Sequence, residues 1–309
     1  MSRQAQLSVN TQALKNRAGK WIGTIFHYIV LLSLSFVFVY PVLYMFSRSL
    51  MLQTDVVDAT VLWVPKQLSF ANYANVFKAL NYVHSGSISV FISVTAAVIQ
   101  AVTCAIAGYG FARYRFPGYA LFFGIVVFAF LVPPETYVVP LFIFYSDLGW
   151  MNTYYPFIVP TLFGHGLRGA LYVLIFTQFF RGQPHELEEA ARIDGAGAFK
   201  TFWTIMFPLA RSAVIVVLLF SIVWHWNDLF QPNLFLQENK YFNLAQMLNL
   251  YSGAEAREMT ETGAMGQPPL ERYRTMAGAL VTILPLLILY LFTQRYFVES
   301  IERTGIAGD

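Results

Sequence analysis

Gln183-Pro184-His185-Glu186-Leu187-Glu188-Glu189-Ala190-Ala191-Arg192-Ile193-Asp194-Gly195-Ala196-Gly197 is a polar island between two strongly apolar segments, and the rest of the chain is placed around it. Pro184 suits the first turn of a helix. Glu186, Glu188 and Glu189 follow in that turn, where negative charge complements the positive end of the helix dipole. Leu187, Ala190, Ala191 and Asp194 recur at i, i+3, i+4 and i+7 and share one face. The two alanines are small enough for another surface to approach closely. Glu186 and Glu189 lie side by side on a neighbouring face, and Glu188 can pair with Arg192 at i+4. Gly195-Ala196-Gly197 breaks the helix. A second short helix is expected beyond it, with Phe199, Phe202, Trp203 and Met206 on one face. On pattern alone the stretch is either a solvated acidic hairpin or a docking element.

Of the 309 residues, 57% are hydrophobic and only 12% charged, against about 25% charged in a soluble domain. That balance points to the bilayer. The net charge of +3 is small, and no basic run or aromatic-basic interleaving speaks for nucleic acid. The one cysteine, Cys104, lies in an apolar run; it excludes an intrachain disulfide and a CxxC site, and reads as a small packing residue. No G-x-x-x-x-G-K-[ST] loop occurs, so no P-loop nucleotide site is expected, and there is no G-x-S-x-G. His185-Glu186-Leu187-Glu188-Glu189 begins like H-E-x-x-H but has Glu189 where the second histidine is needed. The remaining histidines are scattered. The chain is therefore expected to hold no metal, no cofactor and no catalytic site, leaving catalysis to a partner.

Charge-free runs set the expected spans. Residues 1–20 are polar and carry Arg3, Lys15, Arg17 and Lys20 without an acid. Residues 21–47 contain no Lys, Arg, Asp or Glu, enough for one crossing of about 20 residues. They are too long for a signal-peptide core and lack a small-x-small cleavage site, so an uncleaved first span is expected, with Pro41 as a kink. Further spans are expected at 85–111, 119–145, 154–180, 212–236 and 275–296, the third broken at Pro133-Pro134 and Pro140, the sixth containing Pro285. The second is rich in Ser, Ala and Gly, which permit close helix packing in lipid. Six spans place the N-terminus, the Arg113/Arg115 turn, the 181–211 loop and the tail with Arg295 and Arg303 on one side, expected to be cytoplasmic. The short turn at 147–152 on the other side has no Lys or Arg. Two longer segments share that side; they carry Arg48, Lys66, Lys78, Lys240, Arg257, Arg272 and Arg274, offset by acids. The expected fold class is thus all-α integral membrane with both termini cytoplasmic. It reads as one membrane domain over 21–300, flanked by tails at 1–20 and 301–309.

Glu186 to Ala196 followed by Phe202 to Leu209 closely resembles the EAA loop of ABC importer permeases of the carbohydrate-uptake (maltose-type) family, E-L-E-E-A-A-x-x-D-G-A and then F-W-x-I-x-x-P-L. Gly108-Tyr109-Gly110-Phe111-Ala112-Arg113 through Gly118 resembles the G-Y-A-F-A-R signature of the same permeases, and Trp226-Asn227-Asp228 their W-N-D triplet. Ala198, Phe207 and Arg211-Ser212 depart from the common pattern. The resemblance spans roughly 20–300. It implies a permease subunit of an ATP-driven importer in the inner cell membrane, moving a sugar or sugar oligomer by alternating access. The implied partners are a second permease subunit, two ATPase subunits that bind ATP and Mg, and an extracytoplasmic solute-binding protein. The loop between spans four and five would be the cytoplasmic coupling helix. Glu189 is the expected ATPase contact, with Glu186, Ala190, Ala191, Asp194 and Gly195 shaping the docking surface.

Ionisable groups at membrane depth are costly and face a cavity or a partner. Glu135 and Arg168 are the deepest, and either pair with one another or with a partner subunit, or line the solute path; Asn227 is a third candidate, with helix-end capping as its other reading, as for Asp228. The same two ions motivate an alternative, an ion-coupled secondary transporter or channel, distinguished by transport that survives ATP depletion and collapses with the proton gradient. A membrane-embedded enzyme or assembly factor lacks any catalytic constellation. Importers of a polyol or glycerol-phosphate share these motifs, so the motifs alone do not name the solute.

Overall fold

Proline, glycine and small residues decide where the apolar runs become helices and where those helices stop. The computed structural model describes residues 3–52, 54–55, 58, 60–261 and 272–305, with side chains for 21–52, 54–55, 58, 60–254 and 273–296. The side chains of Arg3, Lys15, Arg17, Lys20, Arg257, Arg272 and Arg303, used above for topology, lie outside the described residues. Among the described residues every regular element is helical. The longer helices are α1 (Arg3–Ser49), α2 (Ala71–Ala79), α3 (Tyr82–Arg113), α4 (Tyr119–Leu131), α5 (Val138–Asp147), α6 (Gly169–Arg181), α7 (Glu186–Ile193), α8 (Ala198–Leu209), α9 (Arg211–Asn227), α10 (Leu244–Glu261) and α11 (Arg272–Gly305).

Trp21–Ser49, Tyr82–Arg113 and Tyr273–Tyr296 are each long and apolar enough to cross a bilayer. The pair α8–α9 reaches that standard only when taken together, and it is bent by 76°. The expected third span is two helices, because Pro133 and Pro134 supply no N–H donors and the chain makes a 3-10 turn over Pro134–Thr136. The expected fourth span is interrupted: a short helix Tyr155–Ile158 runs into a 3-10 turn, and Gly164, Gly166 and Arg168 then take left-handed backbone before α6 starts. The fifth ends at Asn227 rather than 236, since Asp228 is extended and its Oδ1 accepts from the N–H groups of Phe230 and Gln231. Residues 3–20, expected as a tail, already belong to the helix of the first span.

The chain divides into two units, 1–73 with 266–280 and 74–265 with 281–309. In the first, buried Asn72 donates to the carbonyls of Ser49 and Met51, both at 2.9 Å, and fixes how the chain leaves α1. Trp63 folds back edge-on to Tyr40 and Tyr44. Lys66 and Thr60 donate to Asp58, which holds its carboxyl well below the usual carboxylate range and raises the Lys66 ammonium in return.

In the second unit α3 is the axis against which α6 and α9 pack. Its inward face carries Ser85, Ser89, Ser93, Ala97, Ala101 and Ala105. At Gly108 the approach is closest: a Cβ there would stand 2.5 Å from Phe176 Cβ and 2.9 Å from the Thr177 nitrogen. One buried cluster joins Tyr109, Phe176, Phe180, Phe202 and Met206; another gathers Ile88, Ile92, Tyr145, Phe157 and Phe235 near the other end of α3. Cys104 is a packing residue, its Sγ 3.7 Å from the carbonyls of Gly164 and Gly169.

Candidate coupling loop and membrane-interior polar site

The sequence island folds as a short helix with a defined stop. Gly195 takes left-handed backbone (φ +76°), which an L side chain rarely adopts. The Ala196 N–H reaches the Ala191 carbonyl at 2.8 Å and the Gly195 N–H the Arg192 carbonyl at 3.0 Å. These two bonds form a Schellman ending, satisfying carbonyls that the helix leaves open.

Two side chains of α7 face inward, Glu188 and Ala191. Glu186, Leu187, Glu189, Ala190, Asp194 and Gly195 are exposed, as is Ile193 at 87%. Ala191, expected to share the exposed face with Leu187, Ala190 and Asp194, is buried instead. The reason is its partner at i−3: Glu188 is drawn into the protein, and Ala191 turns in with it. Glu188 does not pair with Arg192 either. Its Oε1 lies 3.4 Å from Nε of Arg113, the last residue of α3, and both side chains are almost wholly buried. Arg113 Nη2 also donates to the Gln183 carbonyl at 2.8 Å.

Beyond the turn, α8 sets Phe202 and Met206 in the core with Tyr109 and Phe180, whereas Phe199 in its first turn is 75% exposed and leaves the face expected for it. The chain widens to a π-helical turn over Phe202–Met206, closed by the Phe207 N–H on the Phe202 carbonyl. Pro208 follows, without an N–H to return to Thr204, so a tight turn has no bond to gain there. At Arg211, where the family pattern departs, the axis swings into α9.

The interior polar residues do not assemble as a Glu135–Arg168 pair: among the described residues no ion pair joins them. Arg168, in left-handed backbone at the head of α6, places its guanidinium 4.1 Å from the centre of the Trp224 ring of α9. A cation over an aromatic face is stabilised by about 0.5–2 kcal/mol. Arg168, His165 and Tyr137 border a cavity of about 260 Å³ with Phe128, Phe130 and Pro134. Glu135 is exposed beside it. Asn227 donates to the Val223 carbonyl of its own helix at 2.9 Å, which occupies one of its amide hydrogens.

The residue that organises this region is Gln100, in the middle of α3 and fully buried. Its Nε2 donates to the carbonyls of His165 and Leu167, both at 3.1 Å, and its Oε1 accepts from Ser221 at 2.6 Å. Ser221 in turn lies against His225 on α9, whose Nδ1 is 2.8 Å from the Ser221 carbonyl. Thr103 adds a bond to the Thr161 carbonyl at 2.7 Å. Irregular backbone at membrane depth is tolerated where side chains satisfy it in this way. A lone glutamine in an otherwise small and apolar helix was the sequence signal for this role. Arg113, ending α3 and opening the basic Arg113/Arg115 turn at the end expected to be cytoplasmic, was the corresponding signal for the loop.

The family model described as binding-protein-dependent transport system inner membrane component matches residues 101–303. The arabinooligosaccharides transport system permease protein AraQ of Halalkalibacterium halodurans is 29% identical over 89% of this chain and 93% of its own length. The osmoprotective compounds uptake permease protein GgtD of a Synechocystis strain is 28% identical over 97% and 98%. In structure, the chain resembles a chain from a bacterial ABC transporter involved in the import of the acidic polysaccharide alginate. The TM-score is 0.73 at 22% identity, covering 90% of this chain and 98% of that one. With more than half of its length matched, including the end of α3, the loop and the helices that frame the polar interior, the chain belongs to the binding-protein-dependent transport system inner membrane components.

Proposed function

We propose that the chain is the permease subunit of an ABC importer that moves a sugar or sugar oligomer handed over by a solute-binding protein. The observation that carries this reading is the exposed face of α7. It presents Glu186 and Glu189 beside Leu187, Ala190 and the nearly bare Ile193, with exposed Phe199 close in sequence. Large apolar side chains ringed by acids suit insertion into a groove on a partner. In this reading the partner is an ATPase that binds ATP and Mg, Glu189 makes the polar contact, and Ala190, Asp194 and Gly195 shape the close approach. Ala191 acts behind that face by letting α7 lie against the protein. Two such ATPases and a second permease subunit complete the complex.

Six crossings, with both termini and α7 in the cytoplasm, require the interrupted segments 119–147, 155–181 and 198–227 each to count as one crossing. Their non-helical stretches then lie where protein side chains satisfy them, as Gln100 does for 164–168. Closure of the ATPases draws the coupling helices together, the spans rock, and the cavity opens to the binding protein. Arg168 over Trp224 is the element best suited to meet solute hydroxyls, since a guanidinium offers several donors and an indole a flat apolar face. The names of the relatives support oligosaccharides as solute; the breadth of the match to GgtD favours a second reading, small osmoprotective compounds.

Glu189→Lys tests the coupling reading. In the reconstituted complex of both permeases, ATPase and binding protein, uptake is expected to fall by about tenfold or more while the chain stays in the membrane. Unchanged uptake would sink the assignment. Stimulation of ATP hydrolysis across oligosaccharides, polyols and phosphorylated polyols identifies the solute. Uptake that persists without ATP and collapses with the proton gradient would instead establish an ion-coupled carrier.

A further inference from the structure

α7 is only eight residues long, too short to hold its shape or place unaided. Its inward contacts are an alanine and one buried acid. That acid, Glu188, meets the guanidinium of Arg113. The same guanidinium reaches every part of the approach to α7: Nη2 bonds the Gln183 carbonyl at 2.8 Å and lies 3.5 Å from that of Pro184, and Nη1 stands 3.2 Å from His185 Nε2. A buried pair of this kind resists separation, because parting it strands two charges out of water.

The other end of the linkage is equally defined. Gly108 locks α3 against the α6 backbone at Phe176 and Thr177. Eight residues before it, about 12 Å along the helix, Gln100 holds the 164–168 break that carries Arg168. One continuous helix thus grips the docking loop at its end and the interior polar site near its middle.

We propose that the Arg113–Glu188 pair is the strut that delivers displacement of the docking helix to α3, and through Gln100 to the 164–168 break, making Arg113 a positioning residue of the transport cycle. The proposal rests on the docking reading of α7. Loop 182–185 alone would transmit such a movement poorly, whereas a buried ion pair on the helix end moves with it.

The test uses the complete reconstituted complex and needs no knowledge of the solute. Phe163, 82% exposed beside the break, is replaced by cysteine; the native Cys104 is buried, and the unsubstituted chain is labelled in parallel to show that it does not react with the bulky maleimide. Labelling of Phe163→Cys is compared without nucleotide and after trapping with ATP and vanadate. The expected result is a labelling rate that changes by about tenfold on trapping, and by less than about twofold when Arg113→Gln or Glu188→Gln is added. The double variant R113Q/E188Q should be no worse than either single change, because one interaction is lost in all three. Arg113→Lys, which keeps charge but loses the fork of donors, should fall between. A response on trapping that survives both single substitutions overturns the proposal, as does a break that shows no response in the unaltered chain. A purely structural role would lower the yield of complex and leave the response of the surviving complex intact, which also overturns it. Ile193→Cys, crosslinked to the ATPase in parallel, separates the two layers: failure of that crosslink removes the docking reading itself, whereas a crosslink with an unaltered response at Phe163→Cys removes only the strut.

Discussion

α1 and α3 are both long apolar helices of similar hydropathy, yet every side chain from 21 to 43 in α1 is exposed, while 44% of the most apolar stretch of α3 is buried. The difference lies in side-chain size. α1 presents Phe26, Leu31, Leu32, Phe36, Phe38 and similar residues to its surroundings on all sides. α3 carries Ser, Ala, Cys and Gly along one face, with a single amide at Gln100. Hydropathy reports the solvent a helix prefers. The distribution of small and polar residues reports whether other helices approach it, because in lipid apolar surface alone gives no drive for helices to associate.

Gly108→Leu attacks the comparison at its strongest point. The added side chain has no room against the α6 backbone, and the variant should lose about 3 kcal/mol or more, read as a collapsed melting midpoint in detergent. A midpoint near the native one would show that α3 and α6 can separate freely. Gln100→Leu keeps the size and removes three bonds, leaving two carbonyls and a hydroxyl in the interior without their partner; a loss of about 2–3 kcal/mol is expected, and Gln100→Glu should not restore it, since a carboxylate cannot donate to the carbonyls of His165 and Leu167. Asn72→Ala tests the anchored end of α1, where one amide bonds two carbonyls, and should cost about 2 kcal/mol. Leu32→Ala, at the bare middle of α1, should shift the midpoint of the isolated chain by less than about 0.5 kcal/mol. A large loss on Leu32→Ala that appears only in the complete complex would mark that face as covered by another subunit.

Much of the fold was legible in residue types. Pro133-Pro134 announced the broken third span because proline offers no donor, and the Ser/Ala/Gly face of 85–111 announced the packed helix. Gly195 marked the end of α7, where the backbone must turn left-handed. Other features were hidden by the limits of local pattern. Leu187, Ala190, Ala191 and Asp194 share a helical stripe, but the stripe does not say which way the helix rolls; Arg113, far away in sequence, draws Glu188 inward and takes Ala191 with it. In the run 154–180 the glycines at 164, 166 and 169 permit a break, but nothing local shows how the carbonyls of 164–168 are satisfied there, since the groups that bond them sit on α3. Glu135 and Arg168 suggested a pair by charge alone, whereas Arg168 settles on Trp224.

By itself the sequence determined the apolar surroundings of this protein, its helical class and the polar 183–197 island with its family motif, because hydropathy, charge-free length and a long contiguous motif are properties of neighbouring residues. Only the tertiary structure decided which face of α7 is free, how the break at 164–168 is held, and how Arg113 and Gln100 tie both to α3. Each of those outcomes rests on a buried polar group finding its partner tens of residues away, and the cost of leaving such a group unpaired is paid in three dimensions.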